Sequence, residues 1–336
     1  MKAYELRETF GIDHLAIAEH EMPAPGHGQA VVKVRAVSLN YRDLLVVKGL
    51  YNPRIPLPFV PFSDGAGEVV SVGEGVSRVK VGDRVAGIFM QDWISGDLTA
   101  AKQKSALGGG GQGMLAEYVV LNEDGLVHIP EHLSYEEAAT LPCAGVTAWH
   151  AVIETGMRPG DRVLLLGTGG VSLFSLQFAR LAGAEVFITS GSDEKLAKAA
   201  EMGASHGINY REAPEWGNKV QEMAGGTGVD LVVEVGGAGT LSQSIRAVRV
   251  GGRISLIGVL TGGEGEINPL PLVMKNIRLQ GILVGSRDMF EEMNRAVSLR
   301  RLRPVIDRVF HFDEVRDALR HMESGRHFGK ICVSVA

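Results

Sequence analysis

Between Gly167 and Ser172 the chain reads Gly-Thr-Gly-Gly-Val-Ser, directly behind the apolar run Val163-Leu164-Leu165-Leu166. Apolar residues then recur at Val171, Phe174, Phe178 and Leu181, the spacing of one helix face. A strand, a tight turn and a helix in that order leave unpaired backbone N–H groups and the positive end of a helix dipole facing the turn. Such a turn binds an anion. Gly167 permits the turn and Gly169 lets the backbone approach a pyrophosphate. Ser172 replaces the third glycine of the G-x-G-x-x-G pattern and is small enough for the helix to pack on the strand. Gly167, Gly169, Gly170 and Val171 are the candidate dinucleotide contacts.

Roughly 20 residues past such glycines, the tip of the second strand separates NAD from NADP, because an acid there holds a ribose 2′-OH and repels a 2′-phosphate. This tip reads Thr189-Ser190-Gly191-Ser192, so the acid is missing and Ser190 becomes a further cofactor contact. Asp193 and Glu194 fall where the next helix starts, and acids in a first turn favour the dipole. Lys195 has two readings, a phosphate ligand or a surface lysine.

Apolar patterning supplies the elements that position these residues. From Tyr135 onward, strand patterns at Val163–Leu166, Glu185–Thr189, Leu231–Val235, Arg253–Ile257 and Leu279–Val284 alternate with helix patterns. The helices are expected at Glu136–Leu141, Ala148–Glu154, Val171–Leu181, Glu194–Met202, Trp216–Met223 and Gly239–Ala247. The rhythm describes a doubly wound parallel sheet in an α/β fold. Before residue 130 the texture differs, with short β-like runs at Ala30–Val37, Gly67–Val72, Arg84–Gly87 and Ala116–Leu121 set off by glycine and proline. The glycine run Gly108–Gly113 has no apolar strand before it and reads as a flexible loop rather than a phosphate loop. After the sheet come a helix at Met289–Leu299, a second one opened by Asp313, and a closing strand at Lys330–Val335.

At 336 residues two domains are expected. A net charge of -5 argues against a nucleic-acid groove. Two cysteines, Cys143 and Cys332, cannot build a disulfide framework and suit a reducing compartment. No segment approaches the ~18 apolar residues of a membrane span. A soluble, cytoplasmic protein without membrane partners is expected.

The order of several blocks resembles the zinc-less branch of the medium-chain dehydrogenase/reductase superfamily, with quinone oxidoreductase, zeta-crystallin and the enoyl thioester reductases among its members. The blocks are Asp64-Gly65-Ala66-Gly67-Glu68-Val69-Val70, Val81-Gly82-Asp83-Arg84-Val85, Gly113-Met114-Leu115-Ala116-Glu117-Tyr118, Leu141-Pro142-Cys143-Ala144-Gly145-Val146-Thr147-Ala148-Trp149 and Ile208-Asn209-Tyr210-Arg211. The resemblance implies a GroES-like β-rich catalytic domain of residues 1–145 and 287–336, with a Rossmann NADP-binding domain of residues 146–286 inserted. It also implies a homodimer paired through the edge strand Leu279–Val284.

The zinc enzymes of this superfamily hold their catalytic metal with a Cys, a His and a second Cys. The matching positions here are Asn40, Ser63 and Cys143, and one ligand of three cannot hold a tetrahedral zinc with an open site. No metal is expected. Cys143 then has two readings, a small apolar wall or a reactive thiolate. The resemblance assigns the 2′-phosphate to Lys195 and Tyr210, hence NADP(H). It assigns the nicotinamide lining to Thr147, Gly236, Val284 and Ser286, although Thr147 could equally bond its own helix backbone.

Without a metal, a reduction relies on proximity and on hydrogen bonds to the oxygen where negative charge grows. Asn40 offers an amide donor, or satisfies a turn. Tyr51 stands where the enoyl reductases carry a proton-donating tyrosine, or anchors its loop. Arg42 and Asp43 read as a local structural pair. The expected activity is zinc-independent hydride transfer from NADPH to a quinone or activated α,β-unsaturated carbonyl. The alternatives are a metal-independent alcohol or aldehyde dehydrogenase and an NADPH-binding protein without turnover.

Overall fold

The structure, a computed structural model, describes residues 1–109, 111–258, 260–262 and 264–335. The chain opens with an antiparallel hairpin of β1 (Lys2–Leu6) and β2 (Leu15–Glu19), then runs through β3 (Gln29–Leu39), α1 (Tyr41–Val47) and β4 (Asp64–Val72). β5 (Arg84–Gly87), β6 (Tyr118–Asn122) and β7 (Leu126–His128) follow. Next come β8 (Arg162–Leu166), α2 (Gly170–Leu181), β9 (Glu185–Ser190), α3 (Asp193–Glu201), β10 (His206–Asn209) and α4 (Trp216–Met223). β11 (Val229–Glu234), α5 (Ala238–Ala247), β12 (Val248–Leu256), α6 (Leu270–Met274) and β13 (Arg278–Gly281) complete the middle of the chain. The last part holds α7 (Arg287–Arg300), β14 (Ile306–His311), α8 (Val315–Glu323) and β15 (Lys330–Ser334).

Two compact units result. The first comprises Met1–Val146 and the chain from Val284 onward, and the second Thr147–Leu283. In the first unit the strand order is β14-β15-β3-β4-β5-β7, with β6 also pairing β3. Leu6, Leu15, Val37, Leu39, Phe62, Met114, Leu115, Phe310, Leu319 and Ile331 lie in its apolar core. Register decides what meets at the end of this sheet. Ile331 on β15 stands opposite Leu39 on β3, and Asp64 on β4 stands opposite Ser38. Lys330, Asn40, Ser63 and Asp64 are thereby gathered at one place.

The second unit is a parallel sheet in the order β10-β9-β8-β11-β12-β13. Val163, Leu164 and Leu165 on β8 are fully buried, as a central parallel strand covered on both faces requires. The order reverses between β8 and β11, and a doubly wound sheet binds its ligand outside the strand ends at such a switch point.

Sequence patterning expects five strands here, and the described residues form six. The added strand, β10, is only His206–Asn209, too short and too polar to show a period. The expected strand Leu279–Val284 is also shorter, Arg278–Gly281. Ile282 still donates to Leu256, but Val284 takes a left-handed φ of 56° and ends the extension. Beyond it the chain belongs to the first unit, where Arg287 and Asp288 donate backbone N–H to Trp93 and Ile94. Val284 and Ser286, expected within the 146–286 domain, therefore fall in the first unit.

Candidate active site

In the second unit, Gly167 takes a φ of 73°, a conformation that disfavours side chains, and Gly169 stands just before α2. A Cβ built on either glycine would meet nothing within 4 Å, so the space in front of the helix N-terminus is open. Gly170 and Val171 form the first turn of α2. Ser172 is buried and donates its hydroxyl to the Leu166 carbonyl at 2.6 Å, tying the helix to the strand it follows. That bond does the packing work of the missing third glycine.

At the tip of β9, Ser190 is buried, its carbonyl accepts from the Tyr210 N–H at 3.1 Å, and its hydroxyl accepts from the Ser192 N–H at 3.3 Å. A Cβ on Gly191 would lie 2.7 Å from the Tyr210 hydroxyl and 2.9 Å from Arg211 Nε, so both side chains reach this tip. Tyr210 and Arg211 thus close over the tip. Lys195 sits in the first turn of α3, its N–H donated to the Ser192 hydroxyl at 3.4 Å. The two nearby acids are occupied. Asp193 accepts from Asn209 Nδ2 at 2.8 Å, and Glu194 pairs with Lys198 at 2.7 Å. Lys195, Tyr210 and Arg211 are thus the groups at this tip, with Asp193 and Glu194 opening the helix beside them. Arg211 was legible only as part of a motif, since nothing in its spacing separates it from a surface arginine.

At the end of β11 the sequence reading missed Glu234. Its fully buried carboxylate accepts from the Gly236 and Gly237 N–H groups at 2.7 and 3.1 Å, from Thr240 Oγ1 at 2.6 Å, and from the Ser244 hydroxyl. It holds the Gly236 turn in shape at the N-terminus of α5. An acid closing an apolar run just before Val-Gly-Gly is the signal that could have revealed it. Thr147 is buried in the short helix Val146–Trp149.

The first unit carries a buried polar cluster. Lys330 is buried and donates its ammonium to the Leu39 carbonyl at 2.7 Å and to Asn40 Oδ1 at 2.5 Å. Asn40 Nδ2 donates to Ser63 Oγ at 3.3 Å, Ser63 donates to Asp64 Oδ1 at 2.7 Å, and Asp64 Oδ2 accepts the Cys143 N–H at 3.0 Å. Burial pushes the Asp64 carboxyl up, opposed by Lys330 and by its hydrogen-bond donors. The cluster brings Asn40, Ser63 and Cys143 together.

Tyr51 packs on Arg42, the neighbour of Asp43. The ring stacks on the Arg42 guanidinium at 5.3 Å, with Phe89 at 4.8 Å, and is 48% exposed. Arg42 also donates to the Leu107 carbonyl at 2.7 Å and lies 3.7 Å from Asp43. This arrangement gives Tyr51 an anchoring contact. Gly109 closes onto the same guanidinium, and Gly110 of that glycine run lies outside the described residues. Ser286 caps α7, accepting the Met289 N–H at 3.3 Å, and Val284 holds a left-handed conformation that costs a β-branched residue about 1–3 kcal/mol.

The surroundings of Cys143 favour its thiol over its thiolate. Burial and the neighbouring Asp64 charge both push its pKa up, so the protonated form persists at neutral pH. Cys332 is likewise pushed up to about 12 by burial. Asp43 caps α1 by accepting the Asn40 N–H at 2.8 Å, and burial raises its pKa to about 6 against the opposing Arg42 charge. A carboxyl raised in the folded state takes up its proton there first. Asp43 therefore adds stability as pH falls from about 6 toward about 4, and that increment is lost as pH rises through about 6. Relative to an Asp43→Asn variant, the wild type should gain roughly 2 kcal/mol between about pH 7 and about pH 4.5, read from urea midpoints. Parallel pH dependence of the two proteins would contradict this.

A catalytic zinc does not fit the cluster. Asn40 and Ser63 are hydrogen-bonded to each other where two ligands would be needed, and the Lys330 ammonium already supplies positive charge 2.5 Å from Asn40. Among the described residues, no group of three or more His, Cys, Asp or Glu could hold a metal.

A parallel sheet of this order with a glycine turn at its switch point, in a chain that also holds a β-rich unit with a polar cluster, fits a nicotinamide-dependent oxidoreductase of two-domain type. Residues 26–131 match the alcohol dehydrogenase GroES-like domain and residues 170–298 the zinc-binding dehydrogenase domain. The chain belongs to the medium-chain dehydrogenase/reductase superfamily, among the zinc-type alcohol dehydrogenase-like proteins. It is 44% identical to the zinc-type alcohol dehydrogenase-like protein C1773.06c of Schizosaccharomyces pombe, over 98% of this chain and 97% of that one. A solved NAD-dependent alcohol dehydrogenase is similar in fold, with TM-score 0.92, 34% identity and full coverage of both chains at 100%. The crotonyl-CoA carboxylase/reductase AntE, solved with NADP, is similar at TM-score 0.88 and 25% identity, covering 100% of this chain and 94% of that one.

Proposed function

We propose that this oxidoreductase is an NADPH-dependent, zinc-independent reductase of quinones or activated α,β-unsaturated carbonyls. The observation that carries the reading is the Lys330–Asn40–Ser63 chain, in which two of the three residues that the resemblance matches to zinc ligands are an amide and a hydroxyl bonded to each other. Bound NADPH supplies the hydride. In the second unit the open turn at Gly167 and Gly169 and the N-terminus of α2 would hold the pyrophosphate, with Gly170 and Val171 in that first turn. Ser190, Lys195, Tyr210 and Arg211 would hold the 2′-phosphate. The Gly236 turn and Thr147, with Val284 and Ser286 of the first unit, are proposed for the nicotinamide. In the first unit Asn40 Nδ2 would donate to the acceptor's oxygen as negative charge grows there. Tyr51 is the proposed proton donor to a reduced enone, a step that a quinone does not need.

An electron-poor ring or enone spreads the incoming charge, so an amide donor suffices. A simple aldehyde concentrates charge on one oxygen and needs the stronger polarisation that a metal provides. The alcohol dehydrogenases among the relatives favour a second reading, metal-independent alcohol or aldehyde oxidoreduction. Oxidation of NADPH and NADH against a benzoquinone, an enone and an aldehyde separates the two. Turnover of quinone or enone with NADPH preferred is expected, and activity confined to the aldehyde, or to NADH, would overturn the proposal.

A homodimer belongs to this proposal. β13 is an edge strand with every residue exposed, and Leu270, Val273 and Met274 on α6 are 60–74% exposed, an apolar surface that a second copy would cover. Both cysteines are free, which suits a cytoplasmic location. No helix among the described residues is long and apolar enough to cross a membrane.

A further inference from the structure

We infer that Lys330 is a positioning residue, which fixes the side-chain amide of Asn40 so that its N–H₂ group, and not its carbonyl, is offered to the acceptor's oxygen. The inference rests on the assignment of Asn40 as donor and adds the device that makes it one. An asparagine amide is nearly symmetric in shape, so either end can face a ligand unless its neighbours decide. Here both neighbours decide the same way. An ammonium has hydrogens and no acceptor, so the group 2.5 Å from Lys330 Nζ must be Oδ1. At the other end, Ser63 spends its hydroxyl hydrogen on Asp64 Oδ1 at 2.7 Å, which leaves its lone pairs toward Asn40 and calls for Nδ2 at 3.3 Å.

All hydrogen bonds therefore run in one direction, from ammonium to amide to hydroxyl to carboxylate. Such a chain polarises its members, and the positive charge on Oδ1 makes the Nδ2 hydrogens better donors. Ser63 takes one of them and the Asp64 carboxyl also draws on the amide, so a bound oxyanion would compete with Asp64 for the second. Lys330 is held to this task by its surroundings. It is 4% exposed, its second bond is to the Leu39 carbonyl at 2.7 Å, and the β15–β3 register places it opposite the end of β3. A lysine kept only for solubility would not be buried among these partners.

The test is a double-mutant cycle of Lys330→Met and Asn40→Ala, with the best acceptor found for the wild type. Lys330→Met is expected to lower kcat about 10–100-fold with little change in the KM for NADPH. In the Asn40→Ala background the same change should cost less than about 2-fold. Lys330→Arg, which keeps a cation and its donors, should recover part of the loss. A second readout needs no turnover. The dissociation constant of 4-nitrophenolate, an oxyanion probe followed by its absorbance, should rise about 10-fold for Lys330→Met and not rise further in the double variant. Equal losses in both backgrounds would mean that Lys330 acts independently of Asn40, and would overturn the inference. Full activity of Asn40→Ala would instead show that the assignment of Asn40 itself fails. Should Lys330→Met not fold, Lys330→Arg in the two backgrounds carries the same comparison.

Discussion

Replacing Asn40 by aspartate is expected to lower kcat by about 10²–10³-fold, the usual cost of losing one hydrogen-bond donor to a developing oxyanion. Aspartate keeps the acceptor that Lys330 needs, 2.5 Å away, so the variant does not strand a buried ammonium. What it loses is the N–H₂ group, and it gains a negative charge where more negative charge is about to form. Both changes act on the rate and leave the glycine turn at Gly167 untouched. The loss should fall in kcat, with NADPH affinity within about 2-fold of wild type. A variant that lost cofactor affinity and kept kcat would remove Asn40 from the site.

The second large effect concerns the choice of cofactor. Removing Lys195 and Arg211 together, both to alanine, should raise the KM for NADPH by about 10²-fold or more. Each charge-assisted bond to a phosphate contributes about 1.5–3 kcal/mol, and 1.4 kcal/mol is a factor of ten. NADH has no 2′-phosphate, so its KM should move by less than about 3-fold. The geometry behind this is the crowding of Tyr210 and Arg211 over Gly191, with Asp193 already bound to Asn209. Equal weakening of NADPH and NADH would show that the pair supports the β9 tip rather than reading the phosphate.

These two sites differed in how far the sequence exposed them. Val163–Leu166 was readable because a central parallel strand is buried on both faces and appears as an unbroken apolar run, and the glycines behind it carry a spacing with a physical meaning. The short β10 showed no period, because only Ile208 of its four residues is buried. Val284 reads as the last residue of the expected strand Leu279–Val284, and only the fold shows that it turns left-handed there. Asn40, Ser63 and Cys143 were identifiable as residue types that do not assemble a zinc site, but not as partners of Lys330. That lysine lies 290 positions from Asn40 and precedes an apolar strand, where a lysine ordinarily faces water. Contacts created by strand register between distant segments leave no local trace in composition or spacing. Glu234 is an intermediate case, since an acid closing a buried strand before two glycines is visible once its purpose is known.

On the proposed function, the Asn40 site reduces its acceptor without a metal. The most direct measurement is NADPH turnover with the best acceptor before and after exhaustive chelation, with bound metal counted by mass spectrometry on the same sample. Undiminished turnover in protein holding well under about 0.1 zinc per chain is the expected result, because one thiol among an amide, a hydroxyl and an ammonium cannot hold the ion. Activity that falls with the metal and returns when zinc is added would make this a zinc enzyme.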